Sequence, residues 1–562
     1  MFSSLSSTVQ KALEAECGIA DIVVNWERPQ EAENGDLATP IAMKVSKEAG
    51  KNPKEIAQVL VTALQGEEEV EKVEIAGPGY VNIWLTPAAL VAALGSTSQA
   101  CTAKVKSGAP VIVEYSQPNI AKPLGAHHLL TTLFGQGIAN IYEHLGYETI
   151  KWNYMGDWGT QFGKLSIAVT KWGDGRMASE YSVDELLELY VKFHNEVESD
   201  DTLEDQARAE FKKLEDGDAE LRAFWEDIVK ITKSALSGIY DQLHVSFDTD
   251  KSESFYEDMM EPIITKGIAD GVFTEGEGGS LIVEFPEESN MPPYLVRKGD
   301  GATLYSTRDI AQMQYRLDEL KPQEILIVTD IAQKLHFEQL DATCQQLGWD
   351  VSGFTNVLVG RMRYADKSMS TRKGNVLKLE EVLAEAVKKA EEKIAEHGDQ
   401  IQSDDPDALA TMMGIGAVSY GIVSQNRKQD IVFDWDKMLS FEGNSAPYIQ
   451  YTHARARSVV AKAGETGEPK SIDSLTKKER GLLNTLLKFD GVLNEAKEAR
   501  MPHILANYLF ELCQSFNTFY NDESILKADE PVRNLRVYIT DLTADVLKVG
   551  AGLLTISVPD RM

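Results

Sequence analysis

The chain has 562 residues, too many for one hydrophobic core, so we expect about three or four domains. Its apolar content of 43% and charged content of 26% are typical of a globular protein. The formal net charge of −32 argues against indiscriminate nucleic-acid binding, although not against one specific RNA held by local basic patches. The sequence has neither a long apolar run nor a secretory signal, and we therefore predict a cytoplasmic protein that does not span a membrane.

The first part of the chain, 1–106, is predicted to form a small appended α/β domain. A helix should follow Gly50, with Pro53 early in it. The segment VEKVEIAGPGYVNIWL then contains two strands joined by a Gly-Pro-Gly turn at 77–79.

The segment from Val111 to Leu145 is typical of a buried strand, a loop containing two prolines, and a helix that ends at Gly146. His127 and His128 lie in the first helical turn, and Lys122 lies just upstream. Free backbone N–H groups and the helix dipole favour an anion there, so this unit is a candidate phosphate site. Ordinary α/β packing with satisfied histidines is the alternative that the unit alone leaves open.

Further strands alternate with helices and predict a Rossmann-type parallel sheet within a catalytic domain at 107–395, with ligands above the carboxyl ends of its strands. The strand segments are YETIKWNY, EILIVTD and TNVLVGRMR. The region at about 172–288 is acidic and helical, and we interpret it as an insertion with a solvated, charged face. Beyond it, 396–562 carries the apolar spacing of a helical bundle, so the fold class is α/β with an all-α C-terminal domain.

Several separated segments, which together cover nearly the whole chain, resemble the arginyl-tRNA synthetases of class I. SQPNIAKPLGAHH is similar to the SPNxAKxxHxGH form of the first class I signature, and the loop Ser368–Asn375 resembles the MSTRKGN form of the second, KMSKS. IAGPGYVNIWL is similar to the N-terminal domain of that family, and the 396–562 region to its DALR-type anticodon-binding bundle.

The resemblance implies activation of arginine with ATP and Mg²⁺, and transfer of arginine from arginyl-AMP to the terminal adenosine of tRNA-Arg by a monomer. Such chemistry needs positioning and stabilisation of phosphate charge, and no side-chain nucleophile. A synthetase-derived RNA-binding protein without catalysis is the alternative, whereas a nucleotidyltransferase does not explain the C-terminal bundle. The four cysteines form no CxxC pair, and we expect no tightly bound metal.

A guanidinium group requires planar, charge-assisted acceptors, which Glu114 and Asp309 are placed to supply. The resemblance adds further candidate arginine-binding residues: Gln117, Asn119, His128, Tyr305 and Gln333. It makes Lys122, His127 and His128 the candidate catalytic residues. The candidate ATP-binding residues are these three with His336, Met362, Met369, Ser370, Thr371, Arg372 and Lys373.

Two regions are candidate tRNA contacts. In the N-terminal domain they are Gly79, Tyr80 and Asn82. In the bundle we expect His453, Arg455 and Arg457 to place positive charge on an exposed helix, and Tyr520 to stack on an unpaired base.

The first signature departs from the family pattern, since Gly125-Ala126-His127-His128 replaces His-x-Gly-His. Our hypothesis is that His127 substitutes for the imidazole absent at Gly125. Lys122 would share that role. In the second signature Thr371 stands where KMSKS has its second lysine, and the resemblance implies that Lys122 supplies the missing positive charge.

Overall fold

The computed structural model describes residues 3–29, 32–364, 378–398, 401, 403–464, 469 and 472–562. The N-terminal domain packs helices against an antiparallel sheet of order β1-β3-β2. Its elements are α1 (Ser3–Cys17), β1 (Leu37–Thr39), α2 (Ile41–Ala49), α3 (Pro53–Leu64), β2 (Val70–Ala76), β3 (Tyr80–Leu85) and α4 (Pro87–Ala100). The helix predicted after Gly50 is confirmed as α3, and the Asn52 side chain caps it by accepting a hydrogen bond of 2.9 Å from the Lys54 amide.

The first half of the catalytic sheet is followed by a largely helical insertion. The sheet half consists of β4 (Ser107–Glu114), α5 (His128–His144), β5 (Tyr147–Trp152) and α6 (Thr160–Trp172). The insertion comprises α7 (Val183–Val197), α8 (Thr202–Glu215), α9 (Ala219–Gln242), α10 (Glu257–Ala269) and an antiparallel sheet of β6 (Thr274–Glu275), β7 (Leu281–Val283) and β8 (Tyr294–Arg297).

The second half completes the parallel sheet, whose order is β10-β9-β4-β5. Its elements are α11 (Tyr305–Tyr315), β9 (Glu324–Asp330), α12 (Lys334–Gln346) and β10 (Phe354–Val359). The β-branched residues of β4, Val111 to Val113, are fully buried on both faces of the sheet. Because all four strands are parallel, their carboxyl ends lie at one edge, where the candidate residues of the first signature follow β4.

The remaining elements form a two-stranded parallel ladder and the C-terminal helices. They are β11 (Met362–Tyr364), α13 (Leu379–His397), α14 (Pro406–Val423), β12 (Ile431–Phe433), α15 (Trp435–Met438), α16 (Ala446–Ala463), α17 (Lys477–Leu486), α18 (Phe489–Ala499), α19 (Pro502–Asp522) and α20 (Val532–Leu553). Among the described residues, no helix is long and apolar enough to cross a bilayer.

The segment TNVLVGRMR, predicted as one strand, is in fact two, because the chain leaves the main sheet at Gly360. The Gly360 amide donates to the Arg427 carbonyl at 2.7 Å. A Cβ atom at Gly360 would lie 2.0 Å from the Gln429 carbonyl oxygen, so only glycine fits this close approach. Met362 consequently lies on β11, which pairs with β12 of the C-terminal region.

The N-terminal domain docks on the helical bundle through a buried carboxylate, Asp36. Arg480 and Asn484 of α17 each donate a 2.6 Å hydrogen bond to it, and the Leu85 amide donates another of 2.7 Å. The two flanking domains are therefore held in a defined relation.

Candidate active site

The loop after β4 carries Asn119 and packs against the loop after β5. The Ile120 amide donates to the Gly156 carbonyl at 3.2 Å, and the Gly156 amide donates to the Pro118 carbonyl at 3.0 Å. A Cβ atom at position 156 would lie 2.4 Å from Asn119 Oδ1. The glycine therefore makes room for the Asn119 side chain at the carboxyl edge of the sheet.

The two adjacent histidines lie at the N-terminus of α5, with ring centroids 4.0 Å apart. Nδ1 of His128 accepts a hydrogen bond of 3.1 Å from the Gly125 amide. Burial, reinforced by the neighbouring His127, lowers the pKa of His128 to about 4, and burial also lowers the pKa of His127. Both imidazoles are therefore neutral near pH 7, and Nδ1 of His128 also lies 3.2 Å from the Gly125 carbonyl, so Gly125 fixes the orientation of the ring.

Lys122 faces the insertion. Its Nζ atom lies 5.0 Å from the centroid of the Tyr190 ring on α7, within the range of a cation–π contact. The candidate cation therefore bridges the first signature and the insertion.

Glu114 has partners that the sequence did not indicate, and its role as a guanidinium acceptor remains a prediction. Its side chain is 2% exposed and forms an ion pair with Arg316, which is fully buried. Gln117 Nε2 and Gln312 Nε2 also donate to it, at 2.6 and 3.1 Å. Both carboxylate oxygens are thus bonded within the protein. The guanidinium of Arg316, which lies 4.4 Å from the centre of the Trp152 ring, neutralises the charge of Glu114.

Asp309, the fifth residue of α11, bonds directly to His336. The distance between Asp309 Oδ2 and His336 Nε2 is 2.6 Å, and His336 Nδ1 lies 3.1 Å from the Tyr294 hydroxyl. The Tyr305 ring lies 5.0 Å from the His336 ring and is 59% exposed. His336, expected on the ATP side, thus contacts the carboxylate expected to bind arginine.

Glu253 is a further carboxylate at this edge, and sequence reasoning missed it. Burial, opposed by Arg308 and reinforced by Asp309, raises the pKa of Glu253 to about 7. Its ion-pair partner is Arg308, and the distance between Arg308 Nη1 and Glu253 Oε2 is 3.9 Å. The sequence offers no local signal for it, because Glu253 is one acid among many in the insertion.

Three of these groups line one cavity of about 940 Å³, although they are distant in sequence. They are Asn119 from the first signature, Tyr305 from α11 and Glu253 from the insertion. Burial raises the pKa of the nearby Tyr154, and the charges of Asp309, Glu253 and Glu114 raise this pKa further. The edge of the sheet therefore holds a hydroxyl, an amide and a carboxylate around one space, with two more carboxylates nearby.

The other candidates are placed as follows. Gln333 ends a short turn directly after β9 and is exposed. Met369, Ser370, Thr371, Arg372 and Lys373 lie outside the described residues. Within the described ranges, no group of three or more His, Cys, Asp or Glu side chains has the arrangement that a metal ion needs.

The sequence matches three families in chain order. They are the arginyl tRNA synthetase N-terminal domain at 3–85, the class I (R) tRNA synthetase catalytic domain at 89–435 and the DALR anticodon-binding domain at 449–562. The chain belongs to the arginyl-tRNA synthetase family.

Similar proteins cover the whole length of this synthetase. It is 38% identical to an arginine–tRNA ligase of Fusobacterium nucleatum over 94% of this chain and 93% of that protein. It is 37% identical to one of Clostridium perfringens, over 95% of both. The solved arginyl-tRNA synthetase of Thermus thermophilus matches with a TM-score of 0.82 and 26% identity over 100% of both chains.

The enzyme is thus an arginine–tRNA ligase, which joins arginine to tRNA, and its family uses ATP. The expectations for the family and the fold class are confirmed. The alternative of a protein without catalysis is not supported.

In the N-terminal domain of the synthetase, the turn predicted to contact tRNA lies among exposed lysines. A Cβ atom at Gly79 would lie 2.9 Å from Pro53 Cβ and 3.3 Å from Met43 Cγ. Four exposed lysines lie along this part of the chain: Lys44, Lys47, Lys51 and Lys54. Tyr80 is half-buried, whereas Asn82 is 5% exposed. The side chain of Asn82 is thus largely buried, and its contact with tRNA remains a prediction.

In the bundle, two of the three expected positive charges are not free. His453 is fully buried, its Nδ1 lies 2.8 Å from the Pro559 carbonyl, and burial lowers its pKa. Arg457 forms two 2.6 Å ion pairs, with Asp541 and Asp545. The prediction of exposed positive charge is wrong for His453, because desolvation keeps that ring neutral.

Arg455 remains a candidate tRNA contact, and it lies beside a tyrosine, Tyr451, that the sequence did not indicate. Its guanidinium lies 4.6 Å from the Tyr451 ring and 5.1 Å from the Tyr520 ring. Asn517 Oδ1 accepts a hydrogen bond of 2.6 Å from it. Tyr520 is 37% exposed, so the cluster offers an aromatic and cationic face on the surface.

Proposed function

We propose that the synthetase selects arginine with Asp309 and Glu253, and that Glu114 acts indirectly by orienting Gln117. The observation that carries this proposal is the cavity lined by Asn119, Tyr305 and Glu253, with Asp309 one helical turn after Tyr305. A guanidinium is planar and has five N–H donors, so it can bond to two partly buried carboxylates at once.

The ionisation of Glu253 supports this role. Burial outweighs the 3.9 Å ion pair with Arg308 and raises the pKa of Glu253 to about 7. An incoming guanidinium would stabilise its charged form and gain a desolvated ion pair. Glu114 offers no such gain, because Arg316 already neutralises it.

We assign the ATP side of the reaction to the N-terminus of α5. The substrate carboxylate attacks the α-phosphate of ATP, pyrophosphate leaves, and catalysis consists of alignment and charge stabilisation. His127, and His128 through its Nε2–H, would donate hydrogen bonds to phosphate oxygens, and Lys122 would add a positive charge. Mg²⁺ would enter with ATP as part of the substrate. The sequence predicts that the 369–373 segment, which lies outside the described residues, also contacts the phosphates.

We assign binding of tRNA-Arg to two separate surfaces. The turn at Gly79 and Tyr80, with its neighbouring lysines, would contact the body of the tRNA through phosphates. Arg455, Tyr451 and Tyr520 would stack on and bond to an unpaired base in the anticodon loop. We expect the enzyme to act as a monomer in the cytoplasm.

The test is arginine-dependent exchange of pyrophosphate into ATP, measured with tRNA present. Glu253→Gln and Asp309→Asn should each raise the KM for arginine about tenfold or more and leave the KM for ATP nearly unchanged, because each removes one charged acceptor. Glu288→Gln, a matched change at an exposed glutamate, should behave like the unmodified enzyme. An unchanged arginine KM in both site variants would disprove the assignment.

A further inference from the structure

The loop that carries Asn119 and Lys122 has an unfavourable backbone conformation. Ser116, Gln117 and Ala121 have φ values of 74°, 55° and 60°. Residues with a Cβ atom rarely occupy this left-handed region, which costs free energy at each position. Three such residues within six positions require the surrounding structure to hold the loop in place.

Helix α9 of the insertion supplies one of these restraints. The Ala121 amide donates a hydrogen bond of 3.1 Å to Thr232 Oγ1, whose residue is 1% exposed. The same hydroxyl donates to the Ile228 carbonyl at 2.9 Å, which orients its lone pairs. The buried amide of a strained residue thus has its acceptor on an element far from the signatures in sequence.

A second restraint lies two helical turns further along α9. The Tyr240 hydroxyl lies 2.7 Å from Ser116 Oγ and accepts a hydrogen bond of 3.2 Å from Asn153 Nδ2. Thr132 Oγ1, on α5, donates to Ser116 Oγ at 3.0 Å. Burial raises the pKa of Tyr240 to about 12, so its hydroxyl stays protonated at physiological pH.

The spacing of the buried residues of α9 agrees with this role. Ile228, Thr232, Leu236 and Tyr240 recur every four residues and form one buried stripe. The sequence predicts a solvated, charged face for the insertion, and its exposed residues form that face. The opposite face of α9 contacts the loop of the first signature.

We infer that Thr232 and Tyr240 are positioning residues of the activation reaction: the insertion holds the loop at 116–121 in the shape that directs Asn119 and Lys122. Ala121 lies between these two residues, and Ser116 lies at the start of the loop. The inference rests on the proposed function, which places Asn119 in the lining of the arginine cavity and Lys122 beside the phosphates of ATP.

The first experiment compares Thr232→Val with Thr232→Ser. Valine is nearly isosteric but leaves the Ala121 amide without an acceptor, whereas serine keeps the hydroxyl. We expect the valine variant to lose about tenfold to hundredfold in kcat/KM for arginine-dependent pyrophosphate exchange, and the serine variant to recover most of it. Thr343→Val is the matched control, because Thr343 is fully buried and donates to the Gln339 carbonyl at 2.7 Å.

A second measurement distinguishes positioning from general destabilisation. Hydrogen exchange of the 115–127 segment should become about tenfold faster in Thr232→Val than in Thr343→Val, at similar thermal midpoints of unfolding. Tyr240→Phe, which removes the hydroxyl near Ser116 but keeps the ring, should show the same local effect and a lower kcat/KM.

The outcomes separate this inference from the proposed function. Asn119→Ala, measured in parallel, tests the substrate contact itself. If Asn119→Ala is impaired while Thr232→Val and Tyr240→Phe match the control in kinetics and exchange, the positioning role is wrong. If Asn119→Ala is fully active, the proposed contact fails instead, whatever α9 does to the loop.

Discussion

The end of strand β4 and the turn before helix α10 each bring a glutamate to the carboxyl edge of the sheet, yet the two differ in their partners. Glu114 is ion-paired with a fully buried arginine and accepts from two glutamine side chains. Glu253 has its nearest cation at 3.9 Å and a raised pKa. The comparison teaches that a buried carboxylate whose charge is already neutralised gains less from a ligand's cation than one that is weakly paired.

The strongest test of this comparison removes the partner of Glu114. Arg316→Met should lower the free energy of unfolding by about 3–5 kcal/mol, because it leaves a buried carboxylate without a counter-charge. Denaturant unfolding measures the loss. The double variant Glu114→Gln/Arg316→Met should regain much of it, and Lys334→Met, at an exposed ion pair with Glu338, should change stability little. A small effect of Arg316→Met would mean that Glu114 is not neutralised as described.

The second test is the pH dependence of arginine binding. Glu253 has a pKa raised to about 7, so its ionised fraction falls as pH decreases through 7. If the ionised form binds the guanidinium, the KM for arginine should rise about tenfold per pH unit below 7 and level off above it. Glu253→Gln should have a high KM without this dependence. The same slope in that variant would assign the titration to another group.

The contrast between bonded and available groups extends to the two histidines. His128 Nδ1 is bonded to the Gly125 amide, whereas His127 is exposed. His127→Ala should lower arginine-dependent pyrophosphate exchange about tenfold, because one donor to the phosphates is lost. The double substitution Gly125→His/His127→Gly should keep or improve this activity. An unaltered rate in His127→Ala would rule out the compensation by His127.

The same contrast distinguishes two arginines of the bundle. Arg457 is held by Asp541 and Asp545, whereas Arg455 lies between two tyrosine rings near the surface. Arg455→Ala should raise the KM for tRNA about fivefold in aminoacylation assays, because it removes a stacking and phosphate-binding group. Arg457→Ala should affect thermal stability more than the KM for tRNA. The reverse pattern would mean that the RNA contacts the side of α16 that carries Arg457.

Local sequence patterns were sufficient where neighbouring residues decide the conformation. The cap of α3 at Asn52, the buried run of β4 and the start of α5 at His128 are each determined within a few residues along the chain. The break at Gly360 was missed, because its cause is the approach of the Arg427–Gln429 backbone, which lies about seventy residues later. The burial of His453 was missed for a similar reason, since the Pro559 carbonyl reaches it from the C-terminus.

By itself, the sequence determined the family, the order of the matched regions and the loop that carries the first signature, because contiguous motifs encode them. Tertiary structure alone decided which charged groups are free. Arg316 meets Glu114 across the sheet, Glu253 approaches from the insertion, and Thr232 reaches Ala121 from α9. Ionisation and hydrogen bonding depend on distance and desolvation, which hydrophobic periodicity and residue type do not encode.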